Sequence, residues 1–317
     1  MGIEPTETRS QNRRRPHNAD GGVSGALRLR LRACRSLLLT PGSRPVGFAT
    51  ARAAGGDGII VDLESTVAVA DKGRAREAAL AFLREPSDAE FVRIVRINSP
   101  HGADGLRDLL ALRESGDHPD AVIIPKCQSA DEIRLVADVL AGTQSTIGVI
   151  PMVELARAVF VAHLMADAHE RVCGLFLGGG DLAADLGAEG SWENLLYARS
   201  RMVAAAATTG IAAIDVPYFE TDDAGLAREA MASRKLGMTG KAALHPQQLV
   251  PINTIFTPSP DAVSHADAVT AAAASNGASE PVLNGRVVEP AMLREAERVL
   301  TIAARLNAGA AIMKEGA

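Results

Sequence analysis

The sequence is poor in aromatic residues, cysteine and long apolar runs, and each shortage narrows what the chain can be. Aromatics make up 3% of its 317 residues and hydrophobic residues 47%, so the core has to be built from Ala, Val, Leu and Ile. That mix suits strands layered under Ala-rich helices better than a β-sandwich. Cys34, Cys127 and Cys173 are odd in number, widely spaced and without a CxxC pair. They indicate neither a disulfide framework nor a zinc site and fit a reducing cytoplasm. No apolar run approaches the roughly 18 residues of a membrane span, so a membrane is not an expected partner. There is no excess of positive charge, with 33 Lys and Arg against 38 Asp and Glu. The net charge is −5, and no basic stripe is interleaved with aromatics, so nucleic acid is not expected either and small molecules are. The absence of GxSxG, P-loop and GxGxxG patterns removes the usual hydrolase, nucleoside-triphosphate and dinucleotide readings.

What is present, from Arg35 onward, is an alternation of short β-branched or Leu-rich runs with longer stretches of helical period. Eight runs stand out: Ser36–Leu39, Gly58–Leu63, Phe91–Ile97, Ala121–Pro125, Thr146–Met152, Val172–Leu177, Ala212–Val216 and Lys241–Leu244. Repeated βα units of this number close into a (β/α)₈ TIM barrel, expected over residues 33–257. Residues 1–32 lack a hydrophobic period until Leu27 and read as a disordered amino-terminal arm. Residues 258–317 read as a carboxyl-terminal helical extension, with one helix from about Pro260 to Ser275 and another from Pro290 to about Leu306. This tail is too small for a domain. It can cap its own barrel or reach a neighbouring subunit.

The apolar runs stop at chemically active residues, which in a barrel share the carboxyl-terminal face where active sites sit. Glu154 and Asp181 end successive runs, and adjacent strands lie about 4.8 Å apart, so both carboxylates can converge on one hard cation. Mg²⁺ suits such a site because it tolerates one or two protein carboxylates and keeps its waters. Taken singly, each residue reads as a helix cap or salt-bridge partner; the pair in register is the signal. The Gly178-Gly179-Gly180 triplet lets a ligand approach the backbone, and Gly179 and Gly180 are substrate-site candidates. Arg93 and Arg96 fall on opposite faces of one strand, and Arg96 at the rim is the one placed to bind a carboxylate or enolate. Arg44, Asp62, Glu64 and Lys126 are further rim candidates whose roles in substrate or phosphate binding the sequence does not separate. His245, before Pro246, is either a ligand-facing or a structural strand-end residue.

These motifs, in this order, resemble the citrate lyase beta-subunit family of metal-dependent acyl-CoA lyases. The likeness runs from about Arg35 to Arg305. It is carried by LLLTPGSRP (Leu37–Pro45), IIVDLE (Ile59–Glu64), VRIN (Val95–Asn98), IIPK (Ile123–Lys126), GDLAADLG (Gly180–Gly187), LLYARS (Leu195–Ser200), GKAALHPQQ (Gly240–Gln248) and FTPSP (Phe256–Pro260). The resemblance implies a Mg²⁺-dependent carbon–carbon lyase acting on a 3-hydroxyacyl-CoA such as a malyl, citramalyl or citryl thioester, giving a 2-oxo acid and an acyl-CoA. It implies metal ligation by Glu154 and Asp181, keto-acid contact by Arg96, support from Glu64, and a homotrimer or hexamer in which one subunit's carboxyl-terminal segment completes another's site. The family's late catalytic aspartate is matched by Glu289. The chain departs from the family at Ser65 (usually Asp), at Leu155 and Ala158 after Glu154 (usually Thr and Gly) and at Gly179-Gly180 before Asp181 (usually Ala-Glu). Two other readings stand beside the lyase: a thioesterase using the same pocket, and a catalytically weak protein that binds keto acid or CoA.

Overall fold

The computed structural model describes residues 25–315 apart from 87, 89, 142–145 and 276–280, with the side chains of 275 and 308–315 also left aside. The expected arm therefore lies outside the described residues except for its last part. Eight strands form the barrel: β1 (Ser36–Pro41), β2 (Gly58–Asp62), β3 (Val92–Arg96), β4 (Ala121–Ile124), β5 (Gly148–Val153), β6 (Gly174–Leu177), β7 (Ala212–Asp215) and β8 (Gly240–Ala243). All pair in parallel and in sequence order, and β8 closes on β1 through Ser36–Lys241, Leu37–Ala242 and Leu38–Ala243. Around them run α2 (Phe48–Ala53), α3 (Lys72–Arg84), α4 (Ala103–Glu114), α5 (Ala130–Ala141), α6 (Ala156–Ala166), α7 (Gly179–Leu186), α8 (Trp192–Thr209), α9 (Asp223–Leu236) and α10 (Leu249–Phe256).

The period-2 alternation of each strand divides the core in two. Leu37, Leu39, Ile60, Ile94, Ile123, Ile150, Met152, Phe176, Ile214 and Ala242 cluster inside the barrel. Their alternates, among them Leu38, Val61, Val95, Val122, Val153 and Ala213, pack with the helices outside. The barrel is thus filled with aliphatic side chains, and only its top layer is free to carry charge.

One boundary needs correction. Gly25–Arg32 is not disordered but forms a helix, α1. Leu27 and Leu31, four residues apart and so on one face, join the inner cluster and close the amino-terminal mouth of the barrel, while Leu29 is half exposed. Beyond the barrel, α11 (Pro260–Ser275), a two-stranded hairpin of β9 (Val282–Leu283) and β10 (Arg286–Val287), and α12 (Pro290–Glu315) make the extension. Asn284 and Gly285, both at positive φ, turn the hairpin as a two-residue Asn-Gly loop does. The extension has its own small core of Ala266, Val269, Val288 and Ala296. It is tied to the amino-terminal end of the barrel by Arg305, which donates to the carbonyls of Arg30 (2.8 Å) and Glu90 (2.6 Å). Among the described residues no helix is long and apolar enough to cross a membrane.

Candidate metal and substrate site

The top layer of the barrel interior is charged along the arc from β2 to β6. Asp62, Arg96 and Glu154 follow the inward-facing Ile60, Ile94 and Met152 by two residues each, so strand alternation alone aims them into the mouth. All three are buried. Asp62 is consumed by its surroundings. It accepts from Arg96 Nε (2.6 Å) and the Glu64 amide (2.9 Å) through Oδ1, and from the amide (2.9 Å) and hydroxyl (2.5 Å) of Thr66 through Oδ2. Burial alone would raise its pKa, but the hydrogen bond and charge of Arg96, with the Thr66 bond, pull it below the usual range. Asp62 therefore holds Arg96 and the turn after β2, and it does not face a ligand.

Arg96 is clamped a second time by Ser65, whose hydroxyl accepts from its other terminal nitrogen at 2.7 Å. Its remaining edge lies 3.7 Å from Glu64 Oε2. Glu64 accepts from Lys126 Nζ at 3.0 Å through Oε1, whereas Oε2 is buried without a hydrogen-bond partner. A buried carboxylate oxygen left unpaired costs free energy and marks a place where something else donates. Lys126 adopts a left-handed backbone (φ 56°). This conformation turns its amide onto Glu154 Oε1 (2.5 Å) while its side chain reaches Glu64.

Glu154 is 1% exposed, and its pKa is pushed up to about 7, first by burial and then by the neighbouring charges of Asp181 and Glu64, against the Lys126 amide and Arg96. Asp181 lies in the first turn of α7, exposed, and no side-chain hydrogen bond caps that helix, whose N-cap is Gly178. It is therefore free of the capping role that a carboxylate there often has. Gly178 makes room for Glu154: a Cβ on it would lie 2.4 Å from Glu154 Cβ and 2.5 Å from Oε2. Two carboxylates lie close enough to raise one pKa, the nearest guanidinium is committed elsewhere, and the backbone beside them is bare. This donor set fits a hard divalent cation. No group of three or more His, Cys, Asp or Glu able to hold a metal occurs among the described residues. Waters and ligand would have to complete the coordination, as Mg²⁺ permits.

The structure thus brings Glu64, Arg96, Lys126, Glu154 and Asp181 to one mouth, with Gly179 buried and Gly180 exposed beside them. Arg44 stands exposed on the loop after β1, at the rim, and makes no ion pair among the described residues. Glu289 is not brought to the mouth within one chain. It is exposed at the start of α12, roughly 24 Å along that helix from the Arg305 anchor at the opposite end of the barrel. No hydrogen bond or ion pair joins it to the mouth. His245 joins the turn after β8 through its backbone, its amide donating to Gln248 Oε1 at 3.2 Å, and its side chain is exposed. The sequence alone did not separate Asp62 from Glu64, because residues two apart on a strand share a face.

A second buried charge cluster lies outside the barrel wall, under α8 and α9. Lys241 Nζ donates to Asp215 (3.0 Å), Glu229 (2.7 Å) and the Val216 carbonyl (2.6 Å), and Arg199 Nε donates to the other oxygen of Asp215 at 3.0 Å. Arg199 and Lys241 fall within the LLYARS and GKAALHPQQ motifs, but nothing in the sequence pairs them with Asp215 and Glu229. The members of this cluster are dispersed over two strands and two helices, and only the closed fold unites them.

A closed parallel barrel with its polar residues gathered at the carboxyl rim is a (β/α)₈ barrel whose site lies where active sites of this fold sit. The chain belongs to the HpcH/HpaI aldolase/citrate lyase family, whose model matches residues 35–246. It is an enzyme of a lyase family, with curated relatives that bear lyase names. It is 32% identical to an L-malyl-CoA/beta-methylmalyl-CoA lyase of Cereibacter sphaeroides, with 86% of this chain and 96% of that protein covered. Identity to the citrate lyase subunit beta of Escherichia coli is 31%, over 88% of this chain and 96% of that one. Among solved structures, the CitE protein of Mycobacterium tuberculosis in complex with magnesium, acetoacetate and coenzyme A superposes with a TM-score of 0.69 at 32% identity. That match covers 86% of this chain and all of the other.

Proposed function

We propose that the chain is a Mg²⁺-dependent carbon–carbon lyase that cleaves, or reversibly forms, a 3-hydroxyacyl-CoA, giving a 2-oxo acid and an acyl-CoA. The observation that carries this reading is the buried Glu154 beside Asp181, a carboxylate pair with no cation of its own, at the mouth of a barrel of this family. Solved relatives of the fold hold magnesium with acetoacetate and coenzyme A or with oxaloacetate. When bound between Glu154 and Asp181, the ion supplies Lewis-acid polarisation of the substrate's oxygens.

The protein's own groups divide the remaining work. Arg96, held on two sides by Asp62 and Ser65, presents its free edge to the oxygen on which negative charge develops. The Oε2 of Glu64, which makes no hydrogen bond, accepts the hydroxyl proton, with Lys126 fixing the other oxygen so that the carboxylate does not turn away. Arg44 and the Gly179-Gly180 backbone border the entrance on which the thioester lies. Glu289 serves as acid or base at the thioester α-carbon when the extension of a second copy covers the mouth, in a homotrimer or hexamer. Its exposed place at the start of α12 suits that role.

Incubating the protein with Mg²⁺ and malyl-, citramalyl- or citryl-CoA while following both products tests this reading. Release of a 2-oxo acid together with an acyl-CoA is expected. Free CoA with an intact hydroxy acid would assign the pocket to thioester hydrolysis instead. For the ligands, magnesium affinity measured by calorimetry should vanish in a Glu154→Ala, Asp181→Ala double variant.

A further inference from the structure

The carboxyl-terminal extension is tied to the amino-terminal end of the barrel at two places. One is the linker 257–259 between α10 and α11. Thr257 accepts there from Arg35 Nη1 at 2.8 Å, and Arg35 is itself fixed on Asp57 through Nε (2.9 Å) and Nη2 (2.8 Å). The other is Arg305, which uses its whole guanidinium. Nη1 donates to the Arg30 carbonyl (2.8 Å), Nη2 to the Glu90 carbonyl (2.6 Å), and Nε lies 3.4 Å from the Glu90 carboxylate.

The Arg30 carbonyl belongs to the last turn of α1, where helix geometry leaves carbonyls without a partner and favours a cation. Helix α1 is held in turn by Leu27 and Leu31, by the Arg30–Asp120 ion pair and by Arg28, which donates to the Glu170 carbonyl at 2.8 Å. Arg305 thus joins α12 to two segments seated on the floor of the barrel. The extension beyond it has its own core of Ala266, Val269, Val288 and Ala296, so it can turn as one body. Glu289 stands at the other end of that body, roughly 24 Å along α12 from Arg305. A tilt of about 2° to 3° at Arg305 displaces Glu289 by about 1 Å, a shift that can cost about 10²-fold in rate at a reacting centre.

We infer that Arg305 is a positioning residue for Glu289. It sets the angle at which the extension leaves its own barrel, and so the point at which Glu289 meets the mouth of a second copy. The inference rests on the lyase reading for what Glu289 does, whereas the angle is measurable without turnover. Arg305 lies at the opposite end of the barrel from Glu154 and Asp181, so its loss leaves the metal site intact. Lysine is a partial substitute, because one ammonium does not span two carbonyls as a planar fork does.

Cys34, Cys127 and Cys173 are buried, so a thiol-reactive dye on Arg286→Cys, in the exposed hairpin, labels the extension alone. The residual anisotropy of that dye on the nanosecond scale should be about twofold lower in Arg305→Ala than with Arg305 in place, with Arg305→Lys between them. In unlabelled protein with Mg²⁺ and malyl-, citramalyl- or citryl-CoA, Arg305→Ala should lower kcat about 10²-fold, while KM and the calorimetric magnesium affinity stay within about twofold. Arg305→Lys should recover about tenfold of that loss. An unchanged anisotropy would show that other contacts hold the extension and would overturn the inference. So would an unchanged kcat in Arg305→Ala, or a magnesium affinity lost together with kcat, which marks a residue that serves the barrel fold. Wild-type protein that releases no 2-oxo acid overturns the lyase reading instead, and the anisotropy still decides whether Arg305 fixes the extension.

Discussion

The barrel wall separates two buried charge clusters that behave in opposite ways. Outside it, Asp215, Lys241, Arg199 and Glu229 satisfy one another, and Asp215 stays ionised because Lys241 and Arg199 outweigh its burial. Inside the mouth, Glu64 keeps an oxygen without a donor, and Glu154 is driven up to about 7. Both clusters rest on residues at or just beyond strand ends. What differs is the strand face: odd positions of β7 and β8 turn toward helices that supply partners, while even positions of β2, β3 and β5 turn into an opening that supplies none. Complete pairing stabilises a fold, and incomplete pairing at a rim leaves room for a ligand.

The sharpest way to break this contrast is to treat the two clusters alike. Glu64→Gln keeps an oxygen for Lys126 and removes the proton acceptor, so turnover should fall about 10²- to 10⁴-fold with the urea midpoint unchanged. A loss of stability with normal turnover would show that Glu64 belongs with the structural cluster. Asp215→Ala should do the reverse. It strands the buried Arg199 and leaves Lys241 with Glu229 as its one carboxylate, and should cost about 3–5 kcal/mol in denaturant unfolding, with magnesium affinity of the folded fraction preserved.

A smaller effect follows from Glu154. Its carboxyl must ionise to hold a metal, and its pKa lies near 7 against an ordinary value of 4.5. Magnesium affinity should therefore rise about tenfold per pH unit up to roughly pH 7 and then level off, releasing one proton per ion. In the metal-free protein the sign is opposite. Because the folded state favours the protonated acid, stability should decline as pH rises from about 4.5 to 7, with the full penalty present above that range. Glu154→Gln should flatten both curves, and calorimetry in buffers of different ionisation enthalpy would read the proton release.

Much of this was legible in the sequence, for physical reasons that also explain what was not. The eight strands show because fully buried parallel strands read as short apolar runs between helical periods, and all eight fall within a few residues of their expected ends. Glu154, Asp181, Arg96 and Glu64 show because the carboxyl rim is the one place where such a run stops at charge. Helix α1 was missed because its Leu and Arg alternate with period 2, the pattern of a strand, while its burial uses only Leu27 and Leu31. The β9–β10 hairpin was missed because two-residue strands have no periodicity, although Asn284-Gly285 marks its turn. The Lys241 cluster shows only as separate motif residues, Arg199 and Lys241, since its pairing is assembled from elements far apart in the chain.

The glycine triplet allows the finest comparison, between neighbours two residues apart. Gly178 is pressed against Glu154, so a methyl group there must displace the carboxylate or the backbone, and Met152 Cε at 2.9 Å blocks the other way out. Gly178→Ala should cost about 1–3 kcal/mol by overpacking and should lower magnesium affinity along with it. Gly180 faces open space in the first turn of α7. Gly180→Ala should leave stability within about 0.5 kcal/mol, or raise it slightly through helix propensity, and magnesium affinity should not move. Paired thermal unfolding and magnesium titrations of the two variants read the difference. Equal losses of magnesium affinity in both would mean that the whole triplet contacts the ion's surroundings, and that Gly178 has no particular part in seating Glu154.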